Sequence, residues 1–200
     1  MKNLLWVDLE MTGLDPQNDR IVEVAAIITD WNFNEFDVLE TGVHQDEELI
    51  RHRFAANPWA AARPQETLEL VQTSLDGHPE SEVETKLLYM LNRHFEPGEP
   101  VLLAGNSIHM DRKFIQQWWP NLDKRLHYRM LDVSAWKVVM QGKYGLEFPK
   151  TEAHRALGVP VVEAAGESDD ANTSGHFTAS ATSSPDAKST SRATSPVAGL

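Results

Sequence analysis

The chain has 200 residues, an apolar share of 41% and no cysteine. This composition suffices for one core and excludes a disulfide framework, a cysteine-ligated zinc site and a thiol nucleophile. The formal net charge of −12 argues against general binding of long nucleic acid, although bound divalent metals could supply local positive charge for a small phosphate substrate. No apolar run approaches the ~20 residues of a membrane span, and no secretion signal is recognised, so we expect a cytoplasmic protein with no membrane partner.

Apolar periodicity predicts strands that alternate with helices along the chain. The predicted strands cover 3–11, 20–29, 35–43, 101–104 and 128–133. The predicted helices lie within 47–76 (interrupted at Asn57-Pro58 and Arg63-Pro64), over 80–95, from the loop at 105–107 to about residue 119, and after the last strand through Met140. In the third of these helices, Phe114, Ile115 and Trp118 are predicted to face inward. A strand meander followed by alternating strands and helices indicates an α/β fold with a mixed sheet under helical cover.

The composition changes abruptly near Gly158. Beyond residue 162 the chain is rich in Ser, Thr and Ala and has few bulky apolar side chains, so it cannot bury enough surface to offset its ordering entropy. We therefore predict a folded domain over 1–157 and a low-complexity, disordered tail over 158–200.

Paired acids within the first strand form the strongest chemical signal. Asp8 and Glu10 are two residues apart, so their carboxylates project from the same face of a strand. Two acids side by side are costly unless a cation lies between them. The alternative is an exposed strand end that carries two solvated acids.

A second polar segment runs over 105–114, where a small loop leads into a helix with Asp111 in its first turn. Asp111 is a candidate site carboxylate. The alternative is that it is only a favourable residue near a helix N-terminus, with Asn106 or Ser107 as the N-cap.

Four segments together resemble the oligoribonuclease family of the DEDD exonuclease superfamily, which includes DnaQ and RNase T. They are Trp-Val-Asp-Leu-Glu-Met-Thr-Gly-Leu-Asp at 6–15, Gly-Asn-Ser-Ile-His-Met-Asp-Arg-Lys-Phe at 105–114, His-Tyr-Arg-Met-Leu-Asp-Val-Ser at 127–134, and Thr-Glu-Ala-His-Arg-Ala-Leu at 151–157. Their order and spacing match the family from residue 3 to about residue 157.

The resemblance implies an RNase H-like α/β fold and a 3′-to-5′ exoribonuclease that degrades short oligoribonucleotides. It implies that Asp8, Glu10 and Asp111 hold two Mg²⁺ or Mn²⁺ ions roughly 4 Å apart, which polarise the scissile phosphate and generate the attacking hydroxide. His154 would be the general base for the attacking water. On its own, His154 would be interpreted as a surface histidine.

Substrate contacts also follow from the resemblance. Leu14 matches a wedge against a base, and Ser107, Arg129 and Ser134 match residues that cap the 5′ phosphate of a dinucleotide, a role that suits the guanidinium fork. Tyr128 matches a tyrosine that reaches the active site of the neighbouring subunit, so a homodimer is implied. Without the resemblance, Tyr128 and Arg129 would be interpreted as ordinary packing and surface residues.

The chain departs from the family pattern in two places. The family has a metal-binding Asp five residues after the general-base His, where this chain has Val159, and its closing amphipathic helix is missing; a change of reading frame after Leu157 would produce this switch. Between residues 53 and 68 the family has a Trp and then a His; Trp59 matches the first or is plain packing, and no His follows.

We therefore expect an exoribonuclease with reduced or absent activity. One alternative is a catalytically inactive member that binds dinucleotides or only dimerises. Another is a DNA exonuclease on the same fold, which the absence of a basic stripe argues against.

Overall fold

Residues 2–148, the part of the chain that the computed structural model describes, form a six-stranded mixed sheet flanked by helices. The strands are β1 (Asn3–Met11), β2 (Ile21–Asp30), β3 (Glu35–His44), β4 (His78–Pro79), β5 (Val101–Gly105) and β6 (Leu126–Asp132). The helices are α1 (Glu47–Ala55), α2 (Pro58–Ala62), α3 (Pro64–Leu75), α4 (Glu80–His94), α5 (His109–Trp118), α6 (Pro120–Asp123) and α7 (Val133–Tyr144). The predicted boundary at 157 and the tail at 158–200 lie outside these residues.

The strands are ordered β4-β3-β2-β1-β5-β6 across the sheet. β1, β2 and β3 form the predicted antiparallel meander, while β5 pairs parallel with both β1 and β6. The hairpin between β2 and β3 is closed by Asp30, whose carboxylate accepts hydrogen bonds from the backbone N–H groups of Asn32 and Asn34. The predicted α/β class with a mixed sheet is confirmed.

β2 is buried from Ile21 to Thr29 and supplies side chains to two apolar clusters. Val24, Ala26 and Ile28 belong to the larger cluster with α4 and α5, whereas Val22 belongs to the smaller cluster with α1 and α3. The alternation of β2 side chains between the two clusters is interrupted near Val22, because a β-bulge shifts the register with β1 between Glu10 and Met11.

Prolines start two of the helices that were predicted between residues 47 and 76. Pro58 and Pro64 each occupy the first turn of a helix, where a missing N–H costs nothing. Asn57 caps α2, because its side-chain oxygen accepts a hydrogen bond from the backbone N–H of Trp59. No helix within the described ranges combines the length and the apolar character that a membrane crossing requires.

Two details of α5 differ from the prediction. The N-cap is Ile108, without a capping side-chain bond, so neither Asn106 nor Ser107 caps this helix. At the other end, Phe114, Ile115 and Trp118 contribute to the larger apolar cluster as predicted, and Trp118 is half-buried there with the Arg20 guanidinium 3.9 Å from its ring. The burial of Trp119, which is complete, was not predicted. The helix ends at Trp118, so helical periodicity does not predict which way the Trp119 side chain points.

Gly42 on β3 lies directly against the backbone of α3. A Cβ at this position would overlap the Thr73 carbonyl group, and backbone atoms cannot move aside as a flexible side chain can. Gly42 therefore allows α3 to pack against the face of the sheet that carries Asp8 and Glu10.

We expect Gly42→Ala to lower the free energy of unfolding by about 3 kcal/mol, because the added methyl group would clash with the backbone of α3 and push that helix away from the sheet. Gly142→Ala is the matched control: no atom lies near its Cβ position, and replacing a helical glycine should add about 0.5–1 kcal/mol. Urea denaturation of both variants measures the difference. A Gly42→Ala protein as stable as the wild type would contradict this packing.

Candidate active site

Asp8 and Glu10 project from one face of β1, as the sequence predicts. They alternate with Val7 and Leu9, which are buried in the larger apolar cluster. Both acids are half-buried, so they do not lie on a fully exposed strand end.

Asp111 joins the same region from the first turn of α5, and its side chain is only 6% exposed. Its carboxylate accepts a hydrogen bond of 3.0 Å from the backbone N–H of Leu9. This N–H is available because β5 pairs with β1 only from Leu4 to Trp6. Asp111 is thereby fixed to the strand that carries Asp8 and Glu10, and is more than a residue favourable to the helix N-terminus.

Gly105 permits this approach at the end of β5. A Cβ there would lie 2.8 Å from the Val7 carbonyl oxygen and 2.7 Å from the Ile108 side chain, both closer than real Cβ contacts. The loop can therefore turn from β5 into α5 directly beside β1.

The pKa values of the three carboxyl groups are raised. Burial, and next the charge of Glu23, raise the pKa of Asp8 to about 6. Burial, then the charges of Asp8, Glu23, Asp111 and Glu66, raise the pKa of Glu10 to about 7. Burial and the charge of Asp8 raise the pKa of Asp111 to about 7, against the lowering effect of the Leu9 N–H. These carboxylates repel one another without a cation.

The chemistry of this donor set fits a divalent cation. Carboxylate oxygens are ligands for hard ions such as Mg²⁺ and Mn²⁺, and a bound cation would offset the repulsion that raises the three pKa values. Between residues 2 and 148, however, no three His, Asp or Glu side chains are close enough together to hold a metal by themselves. The residues that could hold a cation therefore need further ligands to complete its shell.

Ser107 and Ser134, two predicted phosphate-binding residues, lie in contact. Their hydroxyl oxygens are 2.9 Å apart, and the backbone N–H of Ser107 donates to the Ser134 hydroxyl. Asp132 accepts hydrogen bonds from the backbone N–H groups of both serines. The Lys137 ammonium lies 3.3 Å from the side-chain oxygen of Asn106, which also accepts from Ser134. This cluster combines two hydroxyl groups with the Lys137 ammonium and the Asp132 carboxylate.

The remaining predicted residues lie on separate elements. Leu14 is 74% exposed in the turn after β1, and Asn57 ties that turn to α2 by donating to the Thr12 carbonyl. Trp59 on α2 is half-buried against the smaller apolar cluster, with the Arg63 guanidinium 5.3 Å from its ring. Both interpretations of Trp59, packing and base contact, are compatible with this position.

Tyr128 and Arg129 are exposed neighbours on β6. The Tyr128 side chain is 74% exposed, and the Arg129 guanidinium lies 5.1 Å from the ring centroid of Tyr128. His154 and Val159 lie outside the described residues, so their predicted roles remain predictions.

Sequence reasoning missed Glu23 and Asp132. Glu23 is a single charge within the otherwise apolar run of β2, and this interruption was a signal that could have identified it. Asp132 is the N-cap of α7 and accepts from Ser134; its link to Ser107 depends on β5 and β6 being neighbours, which periodicity cannot show.

The raised pKa values predict that the metal-free protein loses stability as the pH rises. The folded-state pKa values of about 6 to 7 exceed the ordinary values of 3.8 and 4.5, so the folded chain binds more protons between those limits. Stability should therefore fall, by on the order of several kcal/mol, as the pH rises from about 4 to about 7. Urea titrations in EDTA would measure this loss of unfolding free energy. The loss should be smaller in the Glu10→Gln variant and unchanged in the exposed variant Glu47→Gln. An equal loss in the wild type and both variants would contradict the prediction.

Comparison with known proteins places the chain among exonucleases. The RNase_T exonuclease family model matches residues 5–158. The chain is 45% identical over 136 residues to an oligoribonuclease of Neisseria meningitidis serogroup C, covering 68% of this chain and 71% of that protein. It is 38% identical over 157 residues to an oligoribonuclease of Francisella tularensis subsp. tularensis, covering 78% and 86%, and 39% identical over 173 residues to one of Corynebacterium glutamicum, covering 83% and 76%.

Among solved structures, exonuclease I from Methylocaldum szegediense matches with a TM-score of 0.52 at 18% identity. The match covers 76% of this chain, which spans about a third (32%) of that protein. This likeness supports the predicted RNase H-like fold. The matching family model and the oligoribonuclease relatives establish that the chain belongs to the oligoribonuclease family of RNase T-like exonucleases.

Proposed function

We propose that this protein is a 3′-to-5′ exoribonuclease that degrades short oligoribonucleotides and dinucleotides to mononucleotides by metal-dependent hydrolysis. The observation that carries the proposal is the convergence of Asp8, Glu10 and Asp111 within a chain of the oligoribonuclease family. An acidic protein can act on such small pieces because the cation supplies the positive charge near the phosphate. The absence of cysteine is compatible with a cytoplasmic location, which we propose as well.

Asp8, Glu10 and Asp111 would hold two Mg²⁺ or Mn²⁺ ions. When bound, such ions polarise the phosphate, activate water and stabilise the leaving 3′ oxygen. The protein contributes orientation: β1 presents Asp8 and Glu10 together, and the Leu9 N–H fixes Asp111. His154, predicted as the general base, would accept the proton of the attacking water, a task that suits an imidazole with a pKa near 6.5.

The Ser107 and Ser134 cluster is the proposed site for the 5′ phosphate. Its hydroxyl groups can donate to phosphate oxygens, and Lys137 places a positive charge 3.3 Å from Asn106 in the same cluster. After Lys137, the Arg129 guanidinium is the second positive charge that we propose to contact the 5′ phosphate. Leu14, which is exposed, and Trp59 are the proposed contacts to the bases.

A homodimer with shared sites is part of this proposal. Tyr128 is available to a neighbouring subunit because it is exposed. α7 supports an interface as well, because within the described residues it has no buried side chain. Its exposed apolar residues are Trp136, Val138, Val139 and Tyr144. Exposed apolar surface of this kind is typical of an interface.

An inactive, dinucleotide-binding protein is the second candidate. Val159 stands where the family has its last metal-binding Asp, and no three acids or histidines within residues 2–148 complete a metal site. Loss of one such ligand commonly costs several kcal/mol of barrier, at about 1.4 kcal/mol for each tenfold in rate. We therefore expect slow turnover.

Cleavage of a 5′-phosphorylated RNA dinucleotide with Mn²⁺ tests the proposed activity, with the DNA dinucleotide beside it to measure selectivity. We expect slow, metal-dependent release of mononucleotides that falls by about 100-fold or more in Asp8→Asn and His154→Ala. The exposed variant Glu47→Gln should cleave as the wild type does. A folded wild type that binds the dinucleotide without cleaving it would instead establish the binding-only alternative.

Mixing two inactive variants tests whether subunits share sites. Tyr128→Ala and Asp8→Asn should each lose activity alone, because each removes one part of every site. If Tyr128 serves the partner's site, equal mixing after subunit exchange restores one intact site per mixed dimer, or about a quarter of the wild-type activity. No recovery, in a mixture shown by light scattering to contain dimers, would contradict the shared site.

A further inference from the structure

Leu14, the proposed contact to a base, lies in the turn at residues 12–20 that joins β1 to β2. Its side chain is 74% exposed, so its direction depends on the backbone of the turn and little on packing. Ordering a mobile segment when a ligand binds lowers the affinity for that ligand. A base contact on such a turn is therefore effective only if hydrogen bonds hold the turn in place beforehand.

The Asp19 carboxylate forms hydrogen bonds on both sides of Leu14. It accepts one of 3.0 Å from the Thr12 hydroxyl and one of 2.9 Å from the backbone N–H of Asp15. Thr12 precedes Leu14 by two residues, and Asp15 follows it directly. Asp19 is half-buried, and a Cβ on Gly13 would overlap its carboxylate. One side chain therefore closes the turn around the residue that carries the base contact.

The partner of Asp19 at Thr12 is itself fixed. Thr12 is fully buried, and its backbone N–H donates to the Arg20 carbonyl. The Arg20 N–H donates in return to the Thr12 hydroxyl, and the Asn57 side-chain amide donates to the Thr12 carbonyl. These bonds continue the pairing of β1 and β2 and attach it to α2. Through Thr12, the Asp19 carboxylate connects the exposed part of the turn to a rigid point of the fold.

We propose that Asp19 is a positioning residue for the substrate: its carboxylate holds the turn so that Leu14 is already in place when a base arrives. The inference rests on the proposed function, in which Leu14 contacts a base of the dinucleotide. Because the turn is ordered in the free protein, binding does not include the entropic cost of ordering it. Asp19 should therefore affect substrate affinity, and should do so only through Leu14.

A double-mutant cycle between Asp19 and Leu14 tests this coupling. Calorimetry measures the affinity for a 5′-phosphorylated RNA dinucleotide with Ca²⁺ in place of Mn²⁺, and chromatography checks that the dinucleotide stays intact. We expect Asp19→Ala and Leu14→Ala each to weaken binding by about tenfold, and Asp19→Ala to cause no further loss in the Leu14→Ala background. In the free protein, amide exchange at Asp15 should become about tenfold faster in Asp19→Ala.

Three further variants complete the experiment. Asp19→Asn can donate to the Thr12 hydroxyl and accept from the Asp15 N–H, so it should bind the dinucleotide within about threefold of the wild type. Asp30→Ala removes the carboxylate that closes the hairpin between β2 and β3, and it should leave the affinity unchanged. Thr12→Val removes the hydroxyl partner of Asp19, and it replaces Asp19→Ala in the cycle if that variant does not fold.

The outcomes separate this inference from the proposed function. A wild type that does not bind the dinucleotide would overturn the proposed function and this inference with it. Equal affinities of the wild type and Asp19→Ala would overturn the role of Asp19 alone. So would an equal loss from Asp19→Ala with and without the Leu14 side chain, because Asp19 would then act through another part of the protein. Unchanged amide exchange at Asp15 would also overturn that role, because the carboxylate would not hold the turn.

Discussion

The hydrogen bond from the Leu9 N–H to the Asp111 carboxylate is the interaction on which the site depends. It joins α5 to the part of β1 that β5 leaves unpaired, and so brings a third acid to Asp8 and Glu10. A backbone donor fixes the carboxylate without adding another flexible side chain. The bond also lowers the pKa of Asp111, although burial and the charge of Asp8 raise it more.

The surrounding packing must hold these acids together against their repulsion. On one face of the sheet, Val7 and Leu9 are anchored among apolar residues of α4 and α5. On the other, Gly42 lets α3 lie against β3, close to the acid face. Protein interiors are dense and deform little, so this packing holds the three carboxylates near one another despite their repulsion.

Much of the fold could be predicted from sequence because its signals are local. The bounds of β1 follow from its apolar pattern, and the alternation of side chains along a strand predicts that Asp8 and Glu10 project from the same face. What periodicity missed depends on tertiary structure. Glu23 meets Glu10 only through the register between strands, including a bulge, and Trp119 is buried because the chain has already left the helix. The roles of His154 and Val159 remain predictions.

The wide sequence separation of the acids has a consequence for folding. Glu10 and Glu23 meet within a local antiparallel hairpin, whereas Asp111 reaches Leu9 across 102 positions. Contacts between distant positions require the closure of a long loop, and local hairpins form with less entropic cost. Local pairing therefore favours early formation of the meander, and Asp111 joins the acids of β1 only when β5 and α5 dock. If the contacts of a bound divalent ion form after the folding transition state, the ion would slow unfolding more than it speeds folding.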